Sequence, residues 1–172
     1  MATTSPVPTP PPPAGAAPPS PNFRFLDRHH PLLVRYAALA ERYLFDDPPT
    51  ALVKVRQFAE LLARQALAHV GGSSSPQDEF AAVLGMLRDR RAADRDVLDL
   101  FHGIRKAGNA AAHEGSGTRA DALHHLRVAR QLAVWFHRAF GDARGFRPDP
   151  FVPPPDPAEA TRELRDELER LR

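Results

Sequence analysis

Between Pro31 and Gly141 apolar residues return every three or four positions, and no stretch alternates polar and apolar residues over the length of a strand. That period restricts the chain to helices with one buried face each. Leu32, Tyr36, Leu39, Ala40 and Tyr43 mark a first helix, with Pro31 in its first turn and Asp46-Asp47-Pro48-Pro49 at its end. Thr50 is the expected cap of a second, whose stripe is Leu52, Val55, Phe58, Ala59, Leu62 and Ala66 and whose stop is Gly71-Gly72. Ser75-Pro76 is the expected start of a third, burying Phe80, Val83, Leu84 and Leu87. A fourth spans about Asp94 to His113. The fifth begins at Thr118, where Thr118-x-x-Asp121 reads as a capping box, and Gly141 closes it after Ala122, Leu126, Ala129, Ala133, Phe136 and Phe140.

Five such helices joined by short capped turns predict an all-α fold, an antiparallel bundle over residues 23–141. Residues 1–22 hold nine prolines among small residues and read as a disordered arm that can build no core. Residues 142–157 are Pro-rich again and read as a linker. Residues 158–172 read as a separate charged helix in which Leu164, Leu168 and Leu171 make a heptad-like step. Two heptads are too short to hold a coiled coil unaided, so more helix is expected to follow.

Composition narrows the function classes. The chain has no cysteine, which excludes disulfides and thiolate metal sites. No apolar run reaches membrane-spanning length and the N-terminus lacks the pattern of a secretion signal, so the expected location is the cytoplasm, with no membrane partner. Only two of 23 basic side chains, Lys54 and Lys106, are lysines. With abundant Ala and Pro this is read as compositional bias and not as a sign of nucleic-acid binding. Neither a phosphate-cradling glycine loop nor a nucleophile elbow is present. The paired histidines His29-His30 and His124-His125 point in different directions on their helices, so no metal and no cofactor is expected.

The stretch "FHGIRKAGNAAAHEG", residues 101–115, is the candidate site. Val97, Phe101, Ile104, Gly108 and Ala111 fall on the core side of the fourth helix, and Leu98, His102, Arg105, Asn109 and His113 on the adjacent flank. His113 is a candidate proton shuttle, Asn109 an orienting group and Arg105 a stabiliser of phosphate charge. His102, Lys106 and Gly108 are candidate binding residues. A mid-helix glycine costs about 1 kcal/mol against alanine. Close approach of another helix, helped by Ala107, Ala110, Ala111 and Ala112, is the expected offset. The competing explanation is that Asn109 and His113 only fix the register of the fourth and fifth helices.

The segments "NFRFLDRHHPLLVRYAALAERYLFDDPPTALVKVRQFAELLA", "LDLFHGIRKAGNAAAHE" and "LRVARQLAVWFHRAFGD" resemble a bacterial domain of unknown function found at the N-terminus of DEAD/DEAH helicases of the type I restriction R-subunit kind. The resemblance covers residues 22 to about 155. It rests on Asp46-Asp47-Pro48, the Lys54-x-Arg56-x-Phe58-x-Glu60 run, Gly108-Asn109-x-x-x-His113 and Trp135-Phe136. That domain is similar in turn to the HEPN superfamily of helical bundles. Many of its members are metal-independent ribonucleases with an arginine, a polar residue, three variable residues and a histidine, completed in a dimer.

The resemblance implies a homodimer, a helicase or nuclease partner, and RNA or DNA as the contacted polymer. Asn109 and His113 match the ribonuclease pattern, but Gly108 stands where the arginine would be. Loss of one such donor costs about 2.7–4 kcal/mol in barrier. The expected function is therefore a non-catalytic accessory module of a restriction or phage-defence system, dimerising or docking through the fourth and fifth helices. The alternatives are an endoribonuclease using His113, Arg105 and Asn109 in a dimer cleft, and a scaffold joined by the C-terminal helix.

Overall fold

The computed structural model describes residues 20–172, and every regular element in that range is helical. The expected arm lies outside these residues except for its last three. After a short 3-10 turn at Arg24–Leu26 come α1 (Pro31–Tyr43), α2 (Pro48–His69), α3 (Phe80–Asp89), α4 (Arg95–Glu114), α5 (Arg119–Phe140) and α6 (Pro157–Arg170). No helix among the described residues is long and apolar enough to cross a membrane.

The caps explain why the helices begin and end where they do. Asp47, one turn before the position expected from the sequence, caps α2: its carboxylate accepts from the Thr50 N–H at 3.1 Å and from the Thr50 hydroxyl at 2.6 Å. Pro48 and Pro49 then occupy the first turn, where a missing N–H leaves nothing unpaired. Ser75-Pro76 does not open α3. The Asp78 carboxylate folds back to accept from the Ser75 N–H at 2.6 Å, closing a separate turn, and α3 starts only at Phe80. Asp94 caps α4, and Gly115 closes it in the left-handed conformation at φ 63°. Thr118 and Asp121 form the expected capping box on α5.

The core is one cluster built on α2, which packs against α1, α3, α4 and α5. Phe58, Leu62, Ala63, Ala66 and Leu67 of α2 are fully buried, as are Phe101 of α4 and Phe136 of α5. Burying a side chain of the Leu or Phe class stabilises by roughly 1.5–3 kcal/mol each. Phe101 meets Trp135 edge-on with centroids 5.9 Å apart, fixing α4 against α5.

Both flanks of the bundle are more ordered than their prolines imply. Ser20 and Asn22, assigned to the arm by composition, are buried and donate to the Glu41 carboxylate at 2.8 Å each. Asn22 also exchanges two bonds with Val152, giving its amide N–H to the carbonyl and accepting the backbone N–H, both at 2.8 Å. Segment 142–155 therefore lies along the bundle as a strap. Arg138 Nε donates to the Phe146 carbonyl at 2.9 Å and Arg130 to that of Asp149 at 2.6 Å. The α6 helix follows without packing on any other element among the described residues, its Leu164, Leu168 and Leu171 exposed.

Candidate functional site

Helix α4 carries the candidate row because its heptad-like apolar stripe turns Phe101, Ile104, Gly108 and Ala111 inward. Arg105 and Asn109 then stand half-buried at the edge of the core, and His113 is exposed at the last turn. Arg105, Asn109 and His113 share the wall of one cleft of about 290 Å³. The opposite wall comes from Arg56 and Glu60 of α2 and from Glu79, Phe80 and Ala81 at the start of α3.

The expected close approach at Gly108 is made by α2, and not by α5 or a second subunit. A side chain at position 108 would place its Cβ 2.4 Å from Arg56 Cβ and 2.8 Å from Arg56 Cδ. Arg56 is thus laid flat across the glycine, which is buried and leaves no room there for a ligand. The glycine's intrinsic penalty in a helix is offset by the packing it permits between the two most intimately paired helices of the fold.

The charges of the cleft are mixed. Glu60 holds Arg64 at 2.9 Å and Arg56 at 3.5 Å, each pair one turn apart on α2. Arg64 also donates to the Ser74 hydroxyl and to the carbonyls of Ser75 and Asp78, at 2.7–2.9 Å. It thereby pins the α2–α3 loop and sets Glu79 at the rim. Arg56 Nε is buried with no hydrogen-bond partner among the described residues. Arg56, Glu60, Arg64 and Glu79 were not among the candidate site residues read from the sequence, although Arg56 and Glu60 belong to the run on which the family resemblance rests. Their signal there was the Arg56–Glu60–Arg64 spacing of four, which reads equally well as a solvated helix face.

The remaining candidates stand apart from the cleft. Arg105 Nε lies 3.4 Å from His102 Nδ1. Burial, and next the neighbouring positive charges of Arg105 and Lys106, hold the His102 pKa below its ordinary value. His102 is therefore a neutral acceptor for Arg105. Lys106 is exposed to solvent. Neither lines the cleft walls. Asn109 and His113 make no side-chain hydrogen bond to α5 among the described residues, so the register of α4 and α5 is set by Phe101 and Trp135 instead. No group of three or more His, Asp or Glu residues among the described residues is placed to hold a metal ion.

Comparison with known proteins bears on this geometry. The family described as a domain of unknown function (DUF4145) matches residues 39–134, from within α1 to within α5. The type I restriction enzyme EcoKI endonuclease subunit of Escherichia coli (strain K12) is 34% identical over 119 residues, which are 68% of this chain and 10% of that protein. The chain thus spans about a tenth of the length of the relative it matches. No solved structure matches it.

Proposed function

Because this chain belongs to the DUF4145 family, we propose that its bundle is a recognition module of a restriction-type assembly in the cytoplasm, docking onto a helicase or nuclease partner without cutting nucleic acid itself. The observation that carries this reading is the charge pattern of the cleft. Glu60 engages both Arg56 and Arg64, and Glu79 stands at the rim. Carboxylates so placed repel a phosphodiester, whereas paired charges of both signs suit a protein surface that presents the complementary pattern. His113 has no base or carboxylate hydrogen-bonded to it among the described residues, and Gly108 stands where the ribonuclease pattern has its arginine, which leaves Arg105, one turn earlier on α4, as that helix's guanidinium in the cleft.

The test is a sedimentation experiment. The chain is mixed with a type I restriction endonuclease subunit from which the matching tenth has been removed. Association that Glu60→Lys weakens supports docking through the cleft; no association at micromolar concentrations overturns it. In parallel, labelled RNA is incubated with the chain in EDTA. Cleavage that His113→Ala abolishes overturns the non-catalytic reading.

One observation favours the second reading, a metal-independent endoribonuclease. Arg56 crosses Gly108 and lines the same cleft as Asn109 and His113. The guanidinium missing at position 108 is thereby supplied from α2, beside that of Arg105 on α4. The homodimer such a site needs cannot form on the Gly108 seam, which Arg56 covers. An uncovered apolar edge among the described residues is Leu164–Leu168–Leu171 of α6, and truncation after residue 156 followed by sedimentation tests pairing there.

A further inference from the structure

A second concavity, on the far side of α5, differs from the cleft in both charge and lining. The outer face of α5 and the strap enclose a groove of about 930 Å³ whose walls include Arg130, Trp135, Arg138, Arg144 and Phe151. Three arginines face one carboxylate, that of Asp149. Its side chain is exposed and lies 4.0 Å from Arg24. We propose that this groove binds a single strand of nucleic acid, with phosphates on the arginines and unpaired bases against Trp135 and Phe151.

The fold leaves the arginines under-used. Arg130 is 8% exposed, and one of its terminal nitrogens holds the Asp149 carbonyl at 2.6 Å. Its Nε is buried without a partner among the described residues. An orphaned donor on a buried guanidinium is uncommon, because such groups are normally satisfied by protein, water or ligand. Glu41 is the other acid whose charge reaches Arg130, but its carboxylate already accepts from Ser20 and Asn22. Arg138 spends its Nε on the Phe146 carbonyl, which leaves its two terminal nitrogens facing outward. Arg144 is exposed and has no partner among the described residues.

The aromatic groups are held ready. Trp135 is half-buried and meets Phe101 and Phe140 edge-on, at interplanar angles of 86° and 90°. The indole is thus fixed in orientation with part of its surface on the groove. Phe151 carries the Arg127 guanidinium over its ring at 4.5 Å, which adds a fourth positive group beside the groove. Interleaved arginines and aromatic rings along an open channel fit a single strand, whose bases have exposed faces to stack. A duplex offers its phosphates but keeps its bases stacked on one another, so the rings gain nothing from it. The cleft on α4 opposes its two arginines with Glu60 and Glu79, and its one aromatic ring, Phe80, is buried.

Trp135 is the only tryptophan in the chain, so its fluorescence reports on this groove alone. The whole chain is titrated with dT12, rU12 and a 12-base-pair DNA duplex. Both single strands are expected to quench Trp135 and to bind tighter than the duplex. Three phosphate contacts predict that affinity falls roughly twentyfold between 50 and 200 mM salt. Arg144→Ala, which breaks no contact of the fold, is expected to weaken both strands and to lower the salt slope by roughly 0.7. Arg165→Ala, on the exposed α6 away from both concavities, is expected to leave binding unchanged. A preference for dT12 over rU12 or the reverse identifies the sugar and supports the proposal either way. Absence of quenching at 50 mM salt, a duplex that binds as tightly as the strands, or an Arg144→Ala variant with wild-type affinity each overturns it.

Discussion

Arg56 of α2 lies across Gly108 of α4 with its Cβ 2.4 Å from where a Cβ at position 108 would stand. Arg56 Cβ is fixed to its backbone, so a larger residue at 108 has to push the two helices apart. Gly108→Ala gains about 1 kcal/mol in helix propensity and loses about 1–3 kcal/mol to overpacking. A net loss of stability in urea denaturation is the expected result. Combining it with Arg56→Gly should remove the collision, so the double variant is less destabilised than the sum of the singles. Additivity would show that the contact is not the cause.

The His29–His137 pair makes stability depend on pH. Their ring nitrogens are 2.9 Å apart, so one ring donates and the other accepts. Burial, followed by the charges of His137, Arg28 and His69, lowers the pKa of His29; burial and then Arg28 lower that of His137. The unfolded chain therefore takes up protons first as pH falls below about 6.5, and the folded state loses stability there. Above that pH both rings are neutral in either state and the slope vanishes. Thermal melts at pH 5.5 and 7.5 are expected to differ more for the native chain than for His137→Gln. Equal differences would assign the pH dependence to other histidines, such as His102 and His125, whose pKa values are also lowered chiefly by burial.

Thr118 caps α5 through both halves of a capping box, accepting from the Asp121 N–H at 3.1 Å while Asp121 accepts from the Thr118 N–H at 2.8 Å. Thr118→Ala is expected to cost about 1 kcal/mol, measured by chemical denaturation. Asp121→Asn should cost less, because the amide oxygen can still accept.

Asn22→Ala removes both bonds to Val152 and frees the strap's backbone at that point. Chymotrypsin is expected to cut after Phe151 faster in this variant than in the native chain, with α-helical circular dichroism unchanged. Equal cleavage rates would mean that Arg130 and Arg138 hold the strap without Asn22.

The stripes of α2 and α3 were legible in the sequence because each is local, a period of three or four set by one helix, whereas that of α1 was read one position off: Leu32 is exposed, and Leu33, Ala37, Ala40 and Leu44 face the core. Leu52, Val55, Phe58, Ala59, Leu62 and Ala66 are all buried as their spacing predicts. The Thr118–Asp121 box and the inward set Phe101, Ile104, Gly108 and Ala111 were legible for the same reason. Capping competition was not: Asp47 and Thr50 are both good caps, and the prolines at 48 and 49 settled it by fitting the first turn. The Asp78 side chain likewise closed a turn that Ser75-Pro76 alone suggested was a helix. The α2 wall of the cleft was hidden because Arg56 meets Gly108 across 52 positions of chain, and only tertiary packing decides which helix covers a glycine. Prolines after residue 141 announced a linker, while the bonds that turn it into a strap come from Asn22, 130 positions away, and from Arg130 and Arg138 on the outer face of α5.

The pairing of Asn22 with Val152 has a mechanical side. Tension applied between the chain before residue 22 and the chain after residue 152 meets at those two short bonds and bypasses the helices enclosed between them. A motor pulling on either flank would load that junction first, and the bundle would be carried along as an unstretched cargo until it parted.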